Sequence, residues 1–141
     1  MVQLAVVGAG NWGKNLVRNF STTGGAELKY VCDVNEKVRK QMGLLYPHVT
    51  VLEDAQPVLD DDEIDAVVVA VDAHLHCEVA SACLEAGKHV YVEKPMALTS
   101  AEAAKLKDLA DAKGLKLMVG HLLEYHPAVN YIRDFLSLIH I

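Results

Sequence analysis

The sequence predicts an α/β domain built on a doubly wound, mostly parallel sheet, and three observations carry that expectation. Short apolar runs alternate with amphipathic stretches of helical period along the whole chain. The runs are continuously apolar, as in strands buried on both faces. Glycines punctuate the ends of the helical stretches. Strands separated by crossover helices form right-handed βαβ units, and about six parallel strands fit the pattern. The chain's 141 residues suit one domain, 52% of them are apolar, and that is enough to bury a substantial core.

The elements follow in order. Val2–Val7 is an apolar run ending in glycines, and Asn11–Phe20 carries Trp12, Leu16, Val17 and Phe20 at helical spacing. Leu28–Cys32 is the next strand, followed by a short helix over Glu36–Met42 that Gly43 stops. Val49–Leu52 is a weaker strand, and Asp65–Val71, rich in valine, is the strongest. A helix over His74–Ala86 ends at Gly87, where a left-handed residue closes it. His89–Val92 is a further strand. Thr99 and Glu102 form a capping box, each side chain satisfying the other's orphan amide, for a helix that runs to Lys113 and ends at Gly114. Leu115–Val119 is the last strand, and His126-Pro127 opens the last helix with proline at its first position.

Composition narrows the function classes. With 13 Lys and Arg against 19 Asp and Glu, the formal charge is −6, and no basic stripe offers a nucleic acid its footing. No apolar run approaches the roughly 18–20 residues of a membrane span, so no membrane partner is expected. No Lys or Arg precedes the first strand, which argues against a cleaved secretory signal. Cys32, Cys77 and Cys83 form neither an even disulfide set nor a metal-type pair, and they read as buried thiols in a reducing cytoplasm. The acidic run Asp60–Glu63 reads as a solvated helix end or loop rather than a cation site. His74 and His76, two apart on a helix, do not share a face, and no metal site is expected.

Gly8-Ala-Gly-Asn-Trp-Gly13 stands after the first strand and opens the first helix, where a G-x-G-x-x-G has chemical meaning. Gly8 permits the tight turn, Gly10 lets the backbone approach a pyrophosphate, and Gly13 lets the helix pack against the sheet. The amides of Asn11, Trp12 and Gly13 would then face the phosphates from the positive end of the helix. Twenty residues past Gly13, at the end of the second strand, stands Asp33. A carboxylate there accepts from the adenosine ribose diol and repels a 2′-phosphate, which predicts NAD in preference to NADP. Lys37 and Arg39 are expected to face solvent. Together these features predict a Rossmann domain with NAD as its cofactor.

The fifth strand runs into Glu93-Lys94-Pro95. Ligands of doubly wound sheets sit off the carboxyl ends of the strands, so both charged residues belong to the cofactor side. Pro95 restricts Lys94 to extended geometry. Oxidation of a carbinol needs a base for the hydroxyl proton, and a lysine there can serve. The alternative is a surface ion pair between Glu93 and Lys94.

The glycine loop, Asp33 and Glu93-Lys94-Pro95 together resemble the glucose–fructose oxidoreductase/inositol dehydrogenase/MocA (Gfo/Idh/MocA) family. The resemblance covers residues 1 to about 135, including Glu85–Val90 before the fifth strand and Val119-Gly-His121 after the sixth. It implies that Lys94 hydrogen-bonds the reacting hydroxyl and assists proton transfer, and that Glu93 contacts the nicotinamide ribose. Gly120–Val129 is most similar to members that oxidise the 3-hydroxyl of UDP-N-acetylhexosamines or their uronates. One departure stands out: where the family has Ala-Thr-Pro and then His, this chain has Ala70-Val71-Asp72 and then His76. Val71 would line the cofactor through its backbone, and Asp72 is expected to cap the next helix. His76 and His121 complete the candidate cofactor set. For His121 a capping or packing role stands as the alternative. His126 is either a helix cap or a substrate contact, and His48 and His89 flank strands.

The resemblance also implies a second α/β domain that roofs the active site, and residues 136–141 do not look like its beginning. Residues 1–135 therefore read as the dinucleotide-binding domain, 136–141 as an atypical tail, and the chain as an inactive amino-terminal fragment. The expected function is the cofactor half of an NAD-dependent dehydrogenase of a sugar or nucleotide sugar, a homo-oligomer at full length. A stand-alone NAD- or nucleotide-binding sensor is the alternative.

Overall fold

The computed structural model describes residues 1–139. Its elements are β1 (Val2–Val7), α1 (Gly13–Phe20), β2 (Ala26–Cys32), α2 (Glu36–Leu45), β3 (Thr50–Leu52), α3 (Gln56–Leu59), β4 (Ala66–Val69), α4 (His76–Glu85), β5 (His89–Val92), α5 (Ser100–Lys113), β6 (Leu117–Val119) and α6 (Pro127–Ile139). The six strands form one sheet in the order β3-β2-β1-β4-β5-β6. Every pairing is parallel. This is the Rossmann architecture, with the order reversing between β1 and β4, where a ligand crevice opens.

Helices cover both faces, and each face has its own core. Leu4, Val6, Leu16, Val17, Val31 and Val68 pack on the α1–α2 side. Val67, Val69, Leu84, Val90, Val92 and Leu106 pack on the other. Period two along the strands makes this division: Val67 and Val69 face one way and Val68 the other.

The strand ladders continue past the strand ends and align the residues of the rim. Asp33 donates its amide to Leu52 O at 3.1 Å and Gly8 to Cys32 O at 2.8 Å. Ala70 donates to Val7 O at 2.8 Å, Glu93 to Val69 O at 2.9 Å and Gly120 to Val92 O at 2.9 Å. Five loops are thereby held in one row along the carboxyl edge.

Several local expectations need correction. Gly43 does not stop α2, which runs on to Leu45 because the next carbonyl bonds still form on a solvent-facing turn. The Asn11–Phe20 helix begins at Gly13, since Gly8–Trp12 is spent on the loop. The His74–Ala86 helix divides into a 3₁₀ turn, Ala73–Leu75, and α4. The single turn α3 is too short to show a period. Residues 136–139 belong to α6, which leaves the expectation of an atypical tail untouched, and 140–141 lie outside the described residues. Cys32 and Cys83 are buried, whereas Cys77 is half-buried on α4. The capping box of α5 and the left-handed Gly114 are as expected.

Candidate active site

The glycine loop fills its three places for three different reasons. Gly8 has φ +93°, and a Cβ there would lie 2.6 Å from the carbonyl of Ala70. Gly13 is pressed against the backbone of Gly8, so helix and loop touch without a side chain between them. A Cβ on Gly10 would meet nothing within 4 Å. Two glycines are needed by the protein and the third opens onto empty space, as a pyrophosphate cradle requires. No side chain caps α1, which leaves its first amides to an anion.

Asp33 is tied into this loop. One carboxylate oxygen accepts from Ala9 N and the other from Asn35 N, both at 2.8 Å. Each oxygen keeps a further acceptor direction for a ribose hydroxyl. The carboxylate therefore locks the β1 loop to the β2 loop and still faces the cleft. That cleft, about 640 Å³, is lined by Gly8, Gly10, Asn11, Trp12, Asp33 and Val71, among others.

A second cleft, about 750 Å³, is lined by Trp12, Glu93, Lys94, Gly120, His121 and three residues of the 3₁₀ turn Leu122–Tyr125, namely Leu122, Leu123 and Glu124. Trp12 belongs to both clefts and joins them. Its indole N–H donates to Glu93 Oε1 at 2.7 Å, and the Tyr91 hydroxyl donates to the same oxygen at 3.3 Å. Glu93 is buried at 6% exposure. Gly120 is small because it must be: a Cβ there would come within 2.6 Å of the Tyr91 hydroxyl and 2.9 Å of Glu93 Oε1. Burial, and then the Glu93 carboxylate, push the Tyr91 phenol up to about 12.

Glu93 is thus committed to Trp12 and Tyr91. Among the described residues Lys94 forms no ion pair, so the expected alternative, a Glu93–Lys94 surface pair, does not form. Lys94 is exposed to the second cleft, and its peptide bond to Pro95 is cis. His121 stands exposed beside it, and its side chain makes no capping bond.

Four expectations change on contact with the geometry. His76 is 2% exposed, with Nδ1 2.6 Å from Pro95 O and Nε2 3.0 Å from Val71 O. The ring sits between main-chain carbonyls of the Val71 loop and the Lys94-Pro95 loop, its one neutral N–H able to donate to either, and His76 lines neither cleft. Arg39 does not face solvent, because its guanidinium turns back to the carbonyls of Asp33 and Val34. Asp72 occupies the cap position of the 3₁₀ turn, but its side chain makes no capping bond. The run Asp60–Glu63 is more than a solvated loop, since Asp61 and Glu63 both pair with Lys29. His126 does act as a cap, its Nδ1 accepting from Ala128 N at 3.2 Å. His89 Nδ1 accepts from Lys116 N at 3.0 Å beside its strand. Among the described residues no group of three His, Cys, Asp or Glu side chains could hold a metal. No described helix is long and apolar enough to cross a membrane.

Sequence reasoning missed Tyr91 and Gly120 as parts of the site. A signal existed: period two from Val90 and Val92, which face α4 and α5, puts Tyr91 and Glu93 on the face that carries α1 and Trp12.

Residues 2–121 match the Gfo/Idh/MocA group, described as an oxidoreductase family with an NAD-binding Rossmann fold. The chain belongs to this family. As a Gfo/Idh/MocA member it is 34% identical over 130 residues to inositol 2-dehydrogenase 1 of Saccharopolyspora erythraea, covering 90% of this chain and 39% of that protein. Among solved structures, biliverdin reductase of Synechocystis sp. PCC 6803, in complex with biliverdin and NADP+, superposes with TM-score 0.88 at 32% identity. That match covers 96% of this chain and 43% of the reductase. A 3-ketoreductase from Actinomadura kijaniata, in complex with TDP-benzene and NADP, gives TM-score 0.88 at 25% identity, with 96% and 43% coverage. The chain spans about two-fifths of the length of these relatives. It is a Rossmann domain of an oxidoreductase family, and NAD is the cofactor of that family's fold.

Proposed function

We propose that this chain is the cofactor-binding half of an NAD-dependent dehydrogenase acting on a hydroxyl of a sugar or nucleotide sugar. The observation that carries the reading is the placement of Lys94: exposed, without an ion pair among the described residues, and in one cleft with His121 and the Trp12–Glu93 hydrogen bond. In this reading the adenosine half lies between Asp33 and the glycine loop, with the pyrophosphate over Gly10 and the Val71 backbone alongside. Glu93, held by Trp12 and Tyr91, faces the nicotinamide ribose. NAD, when bound, supplies the hydride acceptor. The amino group of Lys94 hydrogen-bonds the reacting hydroxyl and takes its proton as the carbinol becomes a carbonyl. His121 flanks the same position.

The 3-ketoreductase relative binds TDP-benzene, which supports a nucleotide sugar as the substrate class. The Gly120–Val129 segment supports the 3-hydroxyl of a UDP-N-acetylhexosamine or its uronate. Residues 1–135 are the dinucleotide-binding domain in this reading. A second domain of the full-length protein roofs the cleft, and the chain alone turns over little substrate. The complete enzyme is a cytoplasmic homo-oligomer.

Lys94→Ala in a protein carrying the substrate domain tests the assignment. The expected result is a kcat lower by a factor on the order of 10²–10⁴, with NAD affinity almost unchanged. A kcat near that of the parent enzyme removes the catalytic role, and the chain then reads as a cofactor-binding sensor.

A further inference from the structure

Next to the adenosine end of the cleft, bonded to three of its lining residues, is an arginine whose placement its helical position does not explain. Arg39 lies one turn into α2, yet its side chain folds back under the β2–α2 loop. Nη1 donates to Asp33 O at 3.0 Å and to Val34 O at 2.9 Å. These two bonds hold the guanidinium against the main chain of Asp33 and Val34, two residues that line the cleft. Nη2, on the other arm of the fork, donates to Glu53 Oε2 at 3.1 Å. Glu53 follows β3 and lines the same cleft, with its side chain 72% exposed.

A guanidinium fork bonded to the loop that carries Asp33 is what a 2′-phosphate would draw on, since planar paired donors match phosphate oxygens. Here a carboxylate of the chain already occupies the open arm. We propose that Glu53 is a specificity-determining residue: it occupies the Arg39 donor that would otherwise take the 2′-phosphate of NADP. It acts beside Asp33, and the inference rests on the reading that Asp33 faces the adenosine ribose. Two effects favour NAD. The arginine is engaged before a ligand arrives, and the Glu53 charge repels an incoming phosphate. An exposed ion pair contributes little to folding, so the consequence of Glu53 lies in ligand choice rather than stability.

Calorimetric titration of this chain with NADH and with NADPH tests the proposal in the parent, Glu53→Gln, Arg39→Met and the double variant. Glu53→Gln is expected to lower the NADH-over-NADPH preference by a factor on the order of ten, the change arising from tighter NADPH binding. Adding Arg39→Met to Glu53→Gln is expected to remove that gain. Glu53→Ser serves as a second variant, and a thermal melt of each confirms folding. A parent that prefers NADH, with a ratio unaltered by either Glu53 substitution, overturns this inference alone. A gain that survives Arg39→Met, or equal tightening of both cofactors, overturns it too, because the arginine is then not the group released. A parent that prefers NADPH overturns the Asp33 reading and this inference together.

Discussion

Lys88 and Lys94 stand at opposite ends of β5, and their fates differ. At the amino end, Lys88 is 4% exposed and its Nζ donates to Asp61 O at 2.6 Å. The Asp61 carboxylate accepts from the Tyr30 hydroxyl at 2.9 Å and pairs with Lys29 at 2.7 Å. At the carboxyl end, Glu93 likewise accepts from a tyrosine, Tyr91, and from the Trp12 indole. The lysine beside it is left over. The same residue types, lysine, tyrosine and carboxylate, thus close on one another at one edge of the sheet and leave a cation facing a cleft at the other. Unspent donors, more than residue types, mark the edge where ligands bind.

The largest expected effect lies in the glycine loop and breaks the site edge without touching the other. Gly10→Val places a side chain where the structure has none within 4 Å, so the fold should persist while the pyrophosphate loses its space. NADH titration should show no saturable binding, and the melting curve should match the parent. Gly8→Val, two residues earlier, should do the reverse and unfold the domain, because its φ is +93° and its Cβ would strike Ala70. Retained NADH affinity in folded Gly10→Val would sink the cradle assignment.

These two glycines also mark how far sequence can be read. The loop, Asp33, the strand order of burial and the caps of α5 were legible because each is a local pattern of spacing and residue type. The pairs that finish the site were not, because they join residues far apart in the chain. Trp12 and Glu93 are separated by 81 positions, and His76 meets Pro95 across 19. The same limit hid Arg39: helical spacing gives the direction of its Cβ, whereas two carbonyls of the preceding loop decide where its guanidinium goes. The single turn α3 escaped for a different reason, since four residues carry no period.

A smaller effect sharpens the lysine comparison directly. Lys88→Met removes the donor to Asp61 O in a buried setting, and should cost about 1–3 kcal/mol of stability. In a domain of this size that lowers the melting temperature by several degrees, with NADH affinity unchanged. Lys94→Met should leave the melting temperature where it is, since its amino group holds no ion pair among the described residues. Equal melting shifts for the two variants would erase the distinction between the edges.

The smallest effect at neutral pH appears at the two ends of the pH scale, where the edges should separate. The Lys29 hydrogen bond, aided by the Glu63 amide and the Tyr30 hydroxyl, holds the Asp61 carboxyl down at about 2, against 3.8 for an ordinary aspartate. A folded value below the unfolded one means that the contribution is complete above about pH 4 and is lost as pH falls towards 2. Tyr91, at the other edge, is raised from 10 to about 12, so its contribution is complete below pH 10 and is lost as pH rises towards 12. The buried Cys32 and Cys83 thiols, pushed from 9 to about 12 mainly by burial, add to that alkaline loss from pH 9 upward. Denaturant midpoints measured from pH 2 to 12 should therefore respond to Asp61→Asn on the acid side and to Tyr91→Phe on the alkaline side. If Asp61→Asn moved the alkaline limb, or Tyr91→Phe the acid one, the two edges would be coupled through β5 and could not be treated as separate polar networks.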